Sequence, residues 1–74
     1  MDNFNQAPTA PIASEKIASD RKTFFLDLKE NARGRFLKIT EDIRGRRDTI
    51  ILPREAFQDF SEALTRLIEF EGKL

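Results

Sequence analysis

Cysteine is absent from this 74-residue chain, and so are histidine, tyrosine and tryptophan. Without cysteine no disulfide can staple the fold. Without cysteine and histidine together, the usual thiolate and imidazole metal ligands are missing, so no metal or other cofactor is expected. The commonest acid/base and nucleophilic side chains go with them. Acids are present, but no pair is spaced as an acid/base couple with a pocket, so an enzyme is not expected. No glycine-rich phosphate loop or metal motif occurs. No run of about 18 apolar residues exists, which excludes a transmembrane helix. The opening MDNFNQAPTAPIAS lacks a basic start and an apolar stretch, so it does not read as a secretory signal. Lack of cysteine fits a reducing compartment. The expected location is the cytoplasm, with association to the nucleoid as a variant.

What remains is a short chain rich in charge, with 13 basic and 13 acidic residues. At this length a single apolar core is marginal. Small chains compensate with disulfides, metal or a partner, and only the partner is left. Net charge is zero but unevenly spread. Residues 1–20 carry −2, residues 21–47 carry +5 from nine Lys/Arg against four acids, and residues 48–74 carry −3. A basic middle flanked by acidic ends is a soft cue to a polyanionic partner.

Residues 1–10, polar and ending before Pro11, read as a disordered tail. Residues 11–74 read as one folded unit. Ile12 to Ala18 is a candidate edge strand. From Lys22 to Lys29 the residues alternate. Phe24, Leu26 and Leu28 share one face, and Thr23, Phe25, Asp27 and Lys29 the other. Asn31 and Gly34 supply turn chemistry, since both tolerate positive φ. Arg35 to Glu41 is the return strand, with Leu37 and Ile39 on the apolar face and Phe36, Lys38 and Thr40 opposite. Ile43-Arg-Gly-Arg-Arg is a second, basic turn, and Thr49 to Leu52 a third β-branched strand.

Pro53 ends that strand and suits the first turn of a helix. Phe57, Phe60, Leu64, Leu67 and Ile68 recur at helical spacing over roughly 54–71, with Gly72 as the stop. The order, strands and then one helix, predicts an α+β unit with an antiparallel meander. The helix is expected to cover Phe24, Leu26, Leu28, Leu37 and Ile39. Its apolar stripe is wider than one sheet contact needs, which points to a dimer.

The opposite face then interleaves Phe25 and Phe36 with Lys29 and Lys38. That combination suits single-stranded nucleic acid: bases stack on exposed rings while cations track the phosphates. Duplex DNA hides its base faces, so exposed rings gain little from it unless they wedge between steps. Asn31 at the turn offers both donor and acceptor to a base edge. Each feature also has a plain structural explanation. Phe25 and Phe36 can pack under a partner or under the first strand, the lysines can be solvated edge residues, and Gly34 can be only a turn former.

"FFLDLKENARGRFLKITE" closely resembles the signature strand pair of the Pur-alpha (purine-rich element binding) family. "TIILPREAFQDFSEALTRLIEFEG" resembles the strand and helix that close its repeat. The resemblance covers about residues 12–72. It implies a PUR repeat of four antiparallel strands and one C-terminal helix, with Ile12–Ser19 as the first strand. Because one repeat is present, it further implies two chains intertwined as a homodimer, as in bacterial-type members. By the same resemblance the ligand is purine-rich single-stranded DNA or RNA. The family's Lys-x-Asn-x-Arg motif falls on Lys29, Asn31 and Arg33, and its base-contacting aromatic on Phe36. Lys38 falls on a further basic position. Arg46 and Arg47 lie near another, across a shorter loop. Together with Arg35 and Phe25 from the residue reading, these form the candidate site. No membrane or small-molecule substrate is expected. The competing reading, of another class, is a protein-interaction adaptor that uses the same dimeric fold and docks its basic hairpin on an acidic surface.

Overall fold

A computed structural model describes residues 10–74; the expected N-terminal tail lies almost wholly outside the described residues. Four strands follow in order: β1 (Ala13–Ser19), β2 (Lys22–Asn31), β3 (Gly34–Ile43) and β4 (Arg46–Pro53). A short 3-10 turn over Arg54–Ala56 leads into α1 (Phe57–Glu71). The strands form one antiparallel sheet in the order β1-β2-β3-β4. This is the four-stranded sheet followed by one helix that the sequence predicts, with strands one to three residues longer at most ends. Pro53 is the last residue of β4 rather than the first of a helix. Its ring removes an N–H from the sheet edge at the point where pairing ends. No helix of the described residues is long and apolar enough to cross a membrane.

Each hairpin closes with two residues between paired strand ends: Asp20 and Arg21, Ala32 and Arg33, Arg44 and Gly45. In the third, Arg44 (φ 55°) and Gly45 (φ 87°) both take positive φ. That is the twist a two-residue hairpin needs. Gly34, at the second, stands at φ 121°, a conformation side chains rarely adopt.

Register assigns the two faces. Leu26 lies opposite Glu15 on β1 and Ile39 on β3, and Ile39 lies opposite Ile50 on β4. Phe24, Leu28, Leu37 and Leu52 share that side by the two-residue period, with Ile17 opposite Phe24. This is the apolar face. The other carries Phe25, Lys29, Phe36, Lys38 and Thr40, as the alternation predicts.

The helix does not cover the apolar face of its own sheet, which corrects the expected packing. It contacts the 3-10 turn that precedes it and hardly touches the strands. No residue of α1 is buried, and no apolar side chain of the described residues is either. Leu64, Leu67 and Ile68 stand at least half exposed along the helix, and Ile50 along the sheet. The radius of gyration is 14.7 Å, against about 11 Å for a compact chain of this length. The physical reason is the junction. β4 runs through Pro53 directly into the 3-10 turn with no loop between them, and a chain reversal would be needed to fold the helix back. The amphipathic pattern was therefore legible, but its own sheet is not the surface that α1 covers.

Candidate nucleic-acid interface

The polar face of the sheet is built in rows. Lys29, Phe36 and Pro53 stand side by side on β2, β3 and β4. The next row is Asp27, Lys38 and Ile51, with Ser14 added from β1. Then come Lys16, Phe25, Thr40 and Thr49. The last row holds Asp42 between Thr23 and Arg47. Neighbours in a row have Cβ atoms about 4.5–5.5 Å apart, so the cations and rings touch one shared surface.

Both acids on this face are occupied locally. Lys38 is directly opposite Asp27, yet the Asp27 carboxylate accepts a 2.6 Å hydrogen bond from the Ser14 hydroxyl on the other side. Asp42 accepts the Gly45 backbone N–H at 2.9 Å and the Arg47 Nε–H at 2.8 Å. The Gly45 hydrogen bond first, and then the Arg47 side chain, hold the Asp42 carboxyl below its ordinary value. Among the described residues no carboxylate pairs with Lys29, Arg33 or Lys38. Their charge is available to a ligand.

The two phenylalanines differ. Phe25 is covered by its own chain: the Lys16 ammonium lies 5.8 Å from its ring centroid and the Arg47 guanidinium 5.5 Å. Such cation–π pairs contribute about 0.5–1 kcal/mol at exposed sites. Beside it Thr40 is the one buried residue described, 5% exposed, with its hydroxyl 3.3 Å from that of Thr49. Phe36 has no such cover. It is half-buried and opens onto a groove at the end of the sheet.

The turn above Phe36 is fixed by Asn31, whose side-chain oxygen accepts the Arg33 backbone N–H at 2.9 Å. That bond uses one lone pair of the oxygen and orients the amide, while the NH2 group keeps its donors. Arg33 is exposed at the tip.

Arg46 is not brought to this surface, and Arg35 reaches it only at the end of the sheet, where it helps to line the groove beside Phe36. Arg35 lies opposite Glu30 and pairs with it at 3.6 Å on the apolar side of the sheet. Arg46, opposite Ile43, is on that side too. The two-residue period puts them there, because Phe36 and Arg47, their chain neighbours, face the other way. Sequence reasoning missed Ser14, Ile51, Pro53 and Arg54. The alternation of β4 marked Ile51 as facing away from Ile50 and Leu52. Only the register put it beside Lys38.

The groove beside Phe36 has a volume of about 490 Å³ and runs from the β2–β3 turn to the 3-10 turn. Phe36, Ile51 and Pro53 are its apolar lining; Arg33, Arg35, Arg54 and the carboxylate of Glu55 are its charged lining.

A small sheet that carries rings and unpaired cations on one face has the side-chain chemistry on which bases stack and phosphates are held. The chain belongs to the PurA ssDNA and RNA-binding protein family, whose model matches residues 1–73. It is 34% identical over 79 residues to human purine-rich element-binding protein gamma, covering 89% of this chain and 23% of that protein. To human transcriptional activator protein Pur-alpha it is 36% identical over 72 residues, covering 88% and 22%. To transcription factor Pur-alpha 1 of Arabidopsis thaliana it is 41% identical over 70 residues, covering 93% and 24%. The chain thus spans about a quarter of the length of the curated relatives it matches.

Proposed function

We propose that this chain binds purine-rich single-stranded DNA or RNA and does so as a homodimer. The observation that carries the reading is the Lys29–Phe36–Lys38 surface, whose lysines are in no ion pair among the described residues. Lys29, Arg33 and Lys38 hold phosphates. Phe36 stacks on a base, and the Asn31 amide donates to an acceptor on a base edge. Phe25 and Arg47 form the second, self-covered part of the face. Arg35, which helps to line the groove beside Phe36, adds charge at the end of the sheet, and Arg46 contributes through the field of the whole protein. Family membership supports the nucleic-acid ligand. The purine preference comes from relatives described as purine-rich element-binding proteins. The role is binding rather than catalysis, and its place of work is the cytoplasm, the nucleoid included.

The dimer follows from the uncovered apolar surfaces. One chain leaves both a sheet face and a helix stripe in water. A helix of 15 residues is about 22 Å long, and four strands span roughly 15–19 Å. The α1 of one chain has the length and the stripe to cross the apolar sheet face of the other, and two copies do this reciprocally.

The test is fluorescence anisotropy of labelled purine-rich single strands, with pyrimidine and duplex strands as controls, across a salt series. Tighter binding of the purine strand that weakens with salt is the expected result. A folded dimer that binds no single strand at low salt overturns the reading and favours a protein partner.

A further inference from the structure

The groove beside Phe36 is lined by more than the Lys29–Phe36 hairpin. Ile51 and Pro53 of β4 and Arg54 and Glu55 of the 3-10 turn line it too. Pro53 stands directly opposite Phe36, and Ile51 is two residues before it on the same side of the strand. Ile51 is 56% exposed, on the face that the proposed dimer leaves open. A branched apolar side chain held in water between Lys38 and Pro53 is costly unless it meets a ligand. Arg54 lines the groove together with the tip arginine Arg33, and among the described residues neither is in an ion pair.

We infer that this groove is a subsite for one nucleotide of a single strand, in which the base lies over the apolar lining of Phe36, Ile51 and Pro53 and Arg54 holds an adjoining phosphate. The inference rests on the nucleic-acid reading above and deepens it. A base presents two apolar faces. One ring can stack on one face and leave the other in water, while a groove with an apolar lining encloses more of it. Of the two groups that can hold a phosphate, the guanidinium binds it with two parallel hydrogen bonds.

The experiment uses the full chain and a purine-rich strand carrying 2-aminopurine, whose fluorescence falls on stacking. Four variants are compared with wild type: Arg54→Ala, Ile51→Ser, Phe36→Ala, and Arg21→Ala as a charge control in the turn at the far end of β2. Circular dichroism establishes that each is folded. Arg54→Ala is expected to reduce the slope of log K against log salt by about 0.7, the loss of one phosphate contact. Arg21→Ala is expected to leave the slope as it is. Ile51→Ser is expected to weaken the 2-aminopurine quenching while keeping the salt slope, since it removes no charge. If Arg54→Ala matches Arg21→Ala, and Ile51→Ser quenches like wild type while Phe36→Ala does not, Phe36 stacks alone. The role given to β4 and Arg54 is then wrong and the nucleic-acid reading stands. If folded wild type binds no single strand at low salt, both fall together.

Discussion

The guanidinium of Arg47 lies 5.5 Å from the centre of the Phe25 ring, although Arg47 is on β4 and Phe25 on β2, with β3 between them. The arginine crosses the middle strand, held by Asp42 on the way. Lys16 approaches the same ring from β1. Four strands thus meet at one aromatic side chain, and that end of the face is closed by the protein itself. Phe36, two rows away, is left for a ligand.

The two rings therefore separate in their effects. Phe36→Ala is expected to cost about 1–3 kcal/mol of single-strand binding, or about 5- to 150-fold in Kd, with little change in melting temperature. Phe25→Ala is expected to lower the melting temperature more and the affinity less. Anisotropy and thermal denaturation on the same samples decide this; equal loss of affinity in both variants would remove the distinction.

Leu67 is 67% exposed on the single chain. If the chain acted alone, Leu67→Asp would alter stability by no more than about 0.5 kcal/mol, as exposed substitutions usually do. In the proposed dimer the side chain enters the apolar layer, where burying a leucine contributes about 1.5–3 kcal/mol. The expected outcome is loss of the dimer in sedimentation equilibrium together with loss of the folded state. Wild-type melting should also rise with protein concentration.

Asp42 makes stability depend on acid. Its carboxyl is held below the ordinary value of 3.8, first by the Gly45 N–H and then by Arg47. A group lowered in this way adds stability above its unfolded value and loses it as pH falls through the folded one. The drop in melting temperature between about pH 5 and pH 2 should shrink in Asp42→Asn. Because the backbone hydrogen bond is the larger cause, Arg47→Ala should raise the Asp42 titration midpoint only part of the way, as read by NMR. A full return to the ordinary value would show that the ion pair dominates.

Much of this arrangement was legible in the chain. Phe24, Leu26 and Leu28 alternate with Phe25, Asp27 and Lys29, and a period of two admits only one division into faces. Asn31 and Gly34 marked the turn that carries Arg33. Phe57, Phe60, Leu64 and Leu67 marked the helix. The misread points share a cause. Arg35 counts among the cations of the turn, but the two-residue period puts it on the opposite face from Phe36. Arg46 is separated from Arg47 by the same period. The helix was laid on its own sheet because its pattern calls for an apolar partner. A pattern says that a stripe must be covered and does not say by which chain.

The sequence by itself determined the elements, the two faces and the cationic turn, because those depend on local periodicity and on the conformations that Asn31, Gly34, Gly45 and Pro53 allow. The tertiary structure alone decided which groups meet. Ser14 takes Asp27 away from Lys38, Arg47 closes over Phe25, and Ile51, Pro53 and Arg54 line one groove with Phe36. Each of these depends on the register between strands that lie apart in the chain, and register is set by the sum of many cross-strand pairs rather than by any single stretch of residues.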